Sequence, residues 1–398
     1  MARVKHQERR QASGDLFPTD QPIPASQMIG RAADVRELSI AIQNATNCVV
    51  AGPRRTGKTS VCDAAMLQAE TEGFYVASVD LFRLADAAEL AEAIATSVLK
   101  NRPAAYKTVA SARRLGRKAL SIPQVALTTK MRTELGDAVE LALTPGLAAQ
   151  DPQKALLAAL ELPQRVAMAD KKRCIVFFDE FQEVASERRP YGHPDQITKQ
   201  MRAVFQRSTQ VSYLFAGSIE HVMRDLFAPS GRAFSGFGSF HHLREITPED
   251  WIEGLRDRFA ADGCAIAADT LEHLIDLGEL HPRITMLIAQ KTHYLSIVLG
   301  TREITRELVA QGYQLAYQGD VALLDQMIEQ IRRSHKFGLR LARRIAARQT
   351  LTSGMHAGQA DRAIKKLLEA GLVEQVARGD YRIFNPLLRH HLIEQQLS

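Results

Sequence analysis

Residues 48–59 read Cys48-Val49-Val50-Ala51-Gly52-Pro53-Arg54-Arg55-Thr56-Gly57-Lys58-Thr59. The first four are an apolar run typical of a buried strand, and the last eight match the phosphate-binding pattern GxxxxGK[ST] at every fixed position. A glycine-rich turn that leads into a helix directs backbone N–H groups and the positive end of the helix dipole at one point, where anions bind. The stretch therefore predicts a strand, a loop and a helix that bind a nucleoside triphosphate.

Each fixed residue of the loop has a predicted role. Gly52 and Gly57 allow close approach of the backbone, Lys58 reaches the β- and γ-phosphates, and the Thr59 hydroxyl holds Mg²⁺. The other loop residues and the following serine are assigned to the same nucleotide site: Pro53, Arg54, Arg55, Thr56 and Ser60. The two arginines could equally contact a partner subunit or remain solvated.

Two later apolar runs end in polar residues that suit the same chemistry. Residues 174–178 precede Asp179 and Glu180, of which the first is predicted to hold Mg²⁺ and the second to polarise the attacking water. Residues 211–216 precede Gly217 and Ser218, where the hydroxyl could sense the γ-phosphate or the water. The alternatives are a helix N-cap with a charged first turn for the acidic pair and a serine N-cap for Ser218.

Strands and helices alternate through the first half of the chain. Apolar runs at 48–51, 74–80, 174–178 and 211–216, with a weaker run at 241–246, predict an α/β fold with a doubly wound parallel sheet. The ligand is then expected at the carboxyl ends of the strands. The predicted organisation is a disordered basic arm at 1–25, the α/β domain at 26–246 with a basic helical insertion at about 100–135, a helical lid at 247–333 and a winged helix at 334–398.

The predicted winged helix carries an excess of positive charge. Helix, glycine turn, helix and hairpin follow one another from Phe337 to Phe384, and residues 331–398 hold thirteen basic and five acidic side chains. Such a module could bind double-stranded DNA, or it could pack on its own ATPase domain as a latch. The candidate DNA contacts are Arg362, Lys365, Lys366, Arg378 and Arg382.

Composition excludes several classes of protein. The chain has 398 residues, of which 45% are apolar and 24% charged, as in an ordinary globular protein of two or three domains. The absence of a long apolar run and of a signal-peptide core predicts a cytoplasmic protein that does not bind membranes. The four cysteines are scattered singly, which is typical of reduced core thiols rather than of a metal site.

The sequence resembles the STAND class of signal-transduction ATPases, an AAA+-like branch of the P-loop proteins, and in particular its archaeal-type ATPase family. The resemblance spans most of residues 28–392. It is carried by Met28-Ile29-Gly30-Arg31, the phosphate loop through Ser60, Phe178-Asp179-Glu180-Phe181-Gln182, residues 214–218, His281-Pro282 and residues 381–389. The resemblance implies a slow, Mg²⁺-dependent ATPase that acts as an ATP/ADP switch, with nucleotide held between core, lid and winged helix.

The same resemblance implies roles for residues outside the loop. Ile29, Gly30 and Arg31 correspond to the motif that lies near the adenine, and Pro282 to the lid proline that contacts the nucleotide. The chain departs from the class after the fourth strand, where many members have a γ-phosphate-sensing arginine and this chain has Gly217-Ser218. Residues 231–238 offer only Arg232, so the arginine finger remains unassigned.

Two other functions fit the sequence. A protein similar to the origin-recognition initiators would join the same modules and bind duplex DNA. A nucleotide-stabilised scaffold would bind a protein partner or assemble with itself while hydrolysing little ATP, although Glu180 argues against it.

Overall fold

The structure is a computed structural model, and it describes residues 16–19, 21–102, 145–186, 188, 190–227, 233–353, 356–377 and 379–397. Most of the predicted basic insertion, together with Arg232 and Arg378, lies outside these residues. The described chain forms two compact units, each with its own apolar core. The sheet unit comprises Ala33–Gly52 and Lys58–Leu243, and the helical unit comprises the described residues up to Ala32, Pro53–Gly57 and the described residues from Arg244 onward.

A five-stranded parallel sheet forms the centre of the sheet unit. Its strands are β1 (Cys48–Ala51), β2 (Tyr75–Asp80), β3 (Cys174–Asp179), β4 (Val211–Gly217) and β5 (Ser239–Phe240), in the order β2-β3-β4-β1-β5. Every residue of β1 and β4 is buried, as expected for near-continuous apolar strands covered on both faces. The predicted α/β fold with a parallel sheet is confirmed.

The fifth strand is not where the sequence placed it. Residues 241–246 form no strand, and β5 pairs Ser239 and Phe240 with Cys48 and Val49 instead. A two-residue strand has too few alternating positions to be recognised by periodicity.

Helices and one aromatic cluster cover the sheet. The helices are α1 (Ala32–Gln43), α2 (Lys58–Thr71), α3 (Ala87–Leu99), α4 (Pro145–Gln150), α5 (Pro152–Asp170), α6 (Pro194–Gln206) and α7 (Glu220–Phe227), with short 3-10 helices at Leu81–Arg83 and Phe181–Ala185. Phe181, directly after Glu180, is fully buried, and its ring centroid lies 4.6 Å from that of Phe215 and 5.3 Å from that of Phe234. This packing fixes the chain where β3 ends.

Side chains from the end of α3 cover the outer edge of β2. The Asn101 amide donates to the carbonyl of Val76 at 2.8 Å and its oxygen accepts from the Val76 N–H at 3.1 Å. The Ser97 hydroxyl oxygen accepts from the Ser78 N–H at 2.8 Å. Both backbone groups of Val76 and the N–H of Ser78 are therefore satisfied within the unit.

The helical unit is built from α8 (Pro248–Ala261), α9 (Ala268–Gly278), α10 (Pro282–Leu299), α11 (Arg306–Ser334), α12 (Gly338–Ala346), α13 (Ala357–Glu369) and α14 (Pro386–Leu397). Two short strands, β6 (Ala265–Ile266) and β7 (Glu303–Ile304), pair in parallel, and β8 (Val373–Ala377) and β9 (Asp380–Ile383) form an antiparallel hairpin. The Thr247 side chain caps α8 by accepting from the Asp250 N–H at 3.1 Å.

Phe17 departs from the expectation of a disordered arm. Its side chain is 1% exposed and its ring centroid lies 4.9 Å from that of Phe259 and 5.2 Å from that of His293. The Gln290 amide donates to the Phe17 carbonyl at 2.8 Å. Leu16 and Phe17 are an isolated apolar pair without periodic repetition, so local composition alone missed this contact. Among the described residues, no helix combines the length and apolar character required to cross a bilayer.

Candidate nucleotide-binding site

The phosphate-loop sequence joins β1 to α2, so the predicted order of strand, loop and helix is present. Lys58 begins α2 and is 7% exposed. Arg55 and Gly57 have φ angles of 67° and 90°, in the left-handed region that lets the loop turn tightly. At the base of the loop, the Gly52 N–H donates to the Gly217 carbonyl at 3.3 Å, and Ser60 is buried in the first turn of the helix.

Thr59 and Asp179 come together at the end of β3. The Thr59 hydroxyl donates to Asp179 Oδ2 at 2.8 Å. Burial raises the pKa of Asp179 above its usual range, and the charges of Glu180 and Asp80 act in the same direction, although hydrogen bonds from Thr59 and the Glu180 N–H oppose it. A carboxylate under these conditions gains from a nearby cation.

A further acidic residue, Asp63, was not singled out from the sequence. Partial burial and the charge of Asp179 raise its pKa to about 6. Asp63 follows Thr59 by four residues on α2, and this spacing, which puts both on one face of the helix, is the signal that could have identified it.

Hydroxyl and carboxylate oxygens are the ligands that Mg²⁺ prefers, so the chemistry of Thr59 and Asp179 fits this ion.

Glu180 and Ser218 also lie together. Glu180 has a φ of 51°, an unusual left-handed conformation for a residue with a side chain, and it precedes the 3-10 helix Phe181–Ala185. The Ser218 hydroxyl donates to Glu180 Oε2 at 2.7 Å. The ends of β3 and β4 therefore bring the metal-ligand candidate and the two predicted catalytic side chains to one edge of the sheet.

Ile29, Gly30 and Arg31 belong to the helical unit and pack near the start of α8. A side chain at Gly30, whose φ is 64°, would place its Cβ 2.8 Å from Ile246, and one at Gly254 would meet Ile29 at 2.6 Å. The buried Arg31 guanidinium donates to the carbonyl of Thr56 at 3.0 Å and to the carbonyl of Arg244. Arg31 thus contacts the phosphate loop itself, a position that its predicted role near the adenine did not specify.

His281 is the N-cap of α10, and Pro282 is the first residue of that helix. His281 is 7% exposed, and its Nδ1 accepts from the Ile284 N–H at 3.3 Å, which caps the helix. Its ring centroid lies 4.7 Å from that of Phe384. Burial lowers the pKa of His281 to about 3, and the positive charges of Arg283, Arg55 and Arg382 act in the same direction. Arg54 and Arg55 are exposed residues of the phosphate loop.

The basic residues of the C-terminal module have different surroundings. Arg362, Lys365 and Lys366 are exposed on α13, where Lys366 pairs with Glu369 at 2.6 Å. Arg382 pairs with Glu374 and lies 3.8 Å from Glu245. The α12 arginines bind backbone carbonyls instead, since Arg340 and Arg344 both donate to Ser353.

One group of side chains in the helical unit has ligand types suited to zinc. A donor atom from each of Asp262, Cys264 and His293 lies within 4.8 Å of the others. The Arg302 guanidinium lies 3.1 Å from the Asp262 carboxylate and 3.9 Å from the Cys264 sulfur. A cation already neutralises the cluster, so we interpret it as an ion-pair network.

The fold is similar to solved structures of P-loop ATPases. The Walker-type ATPase PABY2304 of Pyrococcus abyssi matches with a TM-score of 0.67 at 14% identity, over 95% of this chain and 99% of that chain. The ORC2 protein of Aeropyrum pernix, in its complexes with ADPNP and ADP, matches with a TM-score of 0.55 at 16% identity, over 97% and 98%. No protein-family model and no curated protein matches the sequence. At this low identity the likeness shows the fold alone, and the chain has the P-loop ATPase fold over nearly its whole length.

Proposed function

We propose that the protein binds ATP with Mg²⁺, hydrolyses it slowly and uses the bound nucleotide to control a partner. The observation that carries the proposal is the hydrogen bond between Thr59 and Asp179, which joins the phosphate-loop helix to the acidic end of β3. Glu180 follows immediately and lies against Ser218. This combination provides phosphate-binding groups, ligands for a hard cation and a carboxylate for water in a single arrangement.

Each residue has one task in the proposed reaction. Lys58 and the N–H groups at the start of α2 bind the phosphates. Thr59 and Asp179 would hold Mg²⁺, which when bound neutralises negative charge on the phosphate oxygens. Glu180 orients and polarises a water for in-line attack on the γ-phosphorus, and Ser218 holds the Glu180 carboxylate.

The proposal predicts separate losses of binding and hydrolysis. Lys58→Ala should weaken ATP binding at least about tenfold, because it removes a buried positive charge from the phosphate site. Glu180→Gln should retain ATP binding but slow hydrolysis about 100-fold or more, because an amide cannot accept the proton. Binding of a fluorescent ATP analogue and release of inorganic phosphate measure the two effects.

Glu183→Gln is the matched control, since Glu183 lies three residues further on, within the 3-10 helix that Glu180 precedes. It should hydrolyse ATP at the wild-type rate. Equal phosphate release by wild type and Glu180→Gln, or failure of both to bind ATP, would reject the proposed ATPase.

The switch component is supported by the contacts of the phosphate loop within the helical unit. The Arg31 guanidinium donates to the Thr56 carbonyl. The positive charge of Arg55 contributes to the lowered pKa of His281 at the start of α10. A change of loop conformation on phosphate binding would alter both interactions. We therefore infer that nucleotide state is transmitted to the helical unit, in agreement with the implied STAND-type mechanism.

A second candidate is an ATPase that binds duplex DNA, as the resemblance to origin-recognition initiators suggests. It is favoured by the exposed side chains of Arg362, Lys365 and Lys366 on one helix. Basic side chains on a helix can neutralise phosphates of the DNA backbone. The likeness in fold to the ORC2 protein adds support.

A further inference from the structure

Gln182 follows Glu180 by two residues and has no role in the site described above. We propose that Gln182 is a positioning residue for Glu180: its amide, together with Ser218, holds one carboxylate oxygen so that the other faces the attacking water. The inference rests on the proposed ATPase function.

The Gln182 side chain connects the ends of β3 and β4. It is 3% exposed, and its Nε2 donates to Glu180 Oε2 and, at 3.3 Å, to the Ser218 hydroxyl oxygen. Its Oε1 accepts from the Ser218 N–H at 3.2 Å. Because Ser218 also donates its hydroxyl to Glu180 Oε2, three side chains form a closed set of hydrogen bonds.

The partners determine which way the amide points. The Nε2 faces a carboxylate oxygen, which can only accept, and Oε1 faces a backbone N–H, which can only donate. Reversing the amide would place oxygen against oxygen and N–H against N–H. Gln182 therefore has one orientation, and that orientation supplies a donor to Glu180.

Packing leaves Gln182 little room to move. A Cβ added at Gly217 would lie 2.7 Å from Gln182 Oε1, so a larger residue there would displace the amide. The preceding residue, Phe181, is buried, and its ring packs against those of Phe215 and Phe234, which holds the 3-10 helix in place. Because the restriction of Gln182 is established on folding, it adds no ordering cost when nucleotide binds.

The consequence for Glu180 is a fixed carboxylate. Both donors bind the same oxygen, Oε2, so the rotation of the carboxylate is set and Oε1 is the oxygen that can accept from a water. A general base must be held within hydrogen-bond reach of its proton, and small misplacement costs rate rather than affinity.

The chain contains a matched control at the other end of β4. Gln164 Nε2 donates to the Thr209 hydroxyl oxygen at 3.1 Å, and its Oε1 accepts from the Gln210 N–H at 2.9 Å. Gln164 thus makes the same two-sided amide contact at the amino end of the strand, without a carboxylate partner among these bonds. Replacing either glutamine by methionine removes an amide at roughly constant volume.

The test compares Gln182→Met with Gln164→Met in steady-state ATP hydrolysis, nucleotide binding and urea unfolding. Gln182→Met should lower kcat about 10- to 100-fold with KM and ATP-analogue affinity unchanged within about twofold. Gln164→Met should leave kcat unchanged, while both variants lower the urea midpoint. In a Glu180→Gln background, Gln182→Met should have no further effect on kcat, because the group it positions is already lost.

Three results would overturn the inference. If wild type hydrolyses ATP and Gln182→Met has wild-type kcat, Gln182 does not position Glu180, although the ATPase proposal stands. If the Gln182 and Glu180 effects multiply in the double variant, Gln182 acts on something other than Glu180. If hydrolysis does not depend on Glu180 at all, the proposed function fails and the inference fails with it.

Discussion

His281 shows how much of the site depends on burial that a sequence does not reveal. Proline is common at the first position of a helix, but here the histidine before it is buried, caps α10 and contacts Phe384. Burial lowers its pKa to about 3. Neutral imidazole is therefore part of the folded helical unit, whereas the unfolded chain takes up a proton near the ordinary histidine pKa of about 6.5.

This difference predicts a dependence of stability on pH. The contribution of His281 is fully present above about pH 6.5 and is lost as pH falls, because only the unfolded state becomes protonated. Between pH 7.5 and 5.0 the unfolding free energy should drop by about 2 kcal/mol from this group. His281→Asn, which keeps a capping acceptor, should remove that part of the slope.

The measurement is urea unfolding followed by fluorescence of Trp251, the single tryptophan, which is buried in the core of the helical unit. His356→Asn serves as the control, since His356 precedes α13 without a side-chain cap. Identical pH slopes for wild type and His281→Asn would show that His281 does not govern the acid sensitivity.

At the scale of elements, α13 is where the DNA-binding candidate can be tested. Arg362→Ala with Lys365→Ala should weaken binding of duplex DNA of any sequence by about tenfold and reduce the slope of log affinity against log salt by about two, because two phosphate contacts are lost. Fluorescence anisotropy with labelled duplexes at several salt concentrations measures both quantities.

Arg332→Ala with Arg333→Ala removes the same charge from α11, where both arginines pair with Glu329. This control should bind DNA as wild type does. If the two double variants weaken binding equally, net charge rather than α13 is responsible; if wild type does not bind duplex DNA, the module serves another partner.

The elements also show what the sequence could and could not predict. The strands β1, β3 and β4 were predictable because each is a continuous apolar run, and the phosphate loop because its spacing is fixed by the chemistry of phosphate binding. The predicted position of the fifth strand was wrong because a strand of two residues is too short to show hydrophobic periodicity. The position of Gln182 depends on how separate elements meet, which no local pattern contains, whereas Asp63 could have been identified from its spacing to Thr59 on α2. The assigned roles of Ile29, Gly30, Arg31 and Pro282 remain predictions.

At the scale of the whole molecule, a nucleotide-controlled switch predicts a change of assembly or partners. The mass of the particle in solution, measured by light scattering, should differ between ADP and ATP. Glu180→Gln should remain in the ATP-bound assembly because it hydrolyses the bound ATP too slowly. Lys58→Ala should give one mass under both conditions.

An unchanged mass together with unchanged partners in ADP and ATP would favour the scaffold alternative. In that case the nucleotide would stabilise the fold by mass action, and added ATP would raise the unfolding temperature without altering association.

The hydrogen bonds from Ser97 and Asn101 to β2 affect the tendency of the protein to aggregate at high concentration. An exposed edge of a sheet is a template on which another chain can add a strand, the first step of many amyloid-like aggregates. Here Asn101 and Ser97 already occupy the outward N–H and C=O groups of Val76 and the N–H of Ser78. A foreign strand would have to displace these bonds before making its own, so strand addition at Val76 and Ser78 is disfavoured.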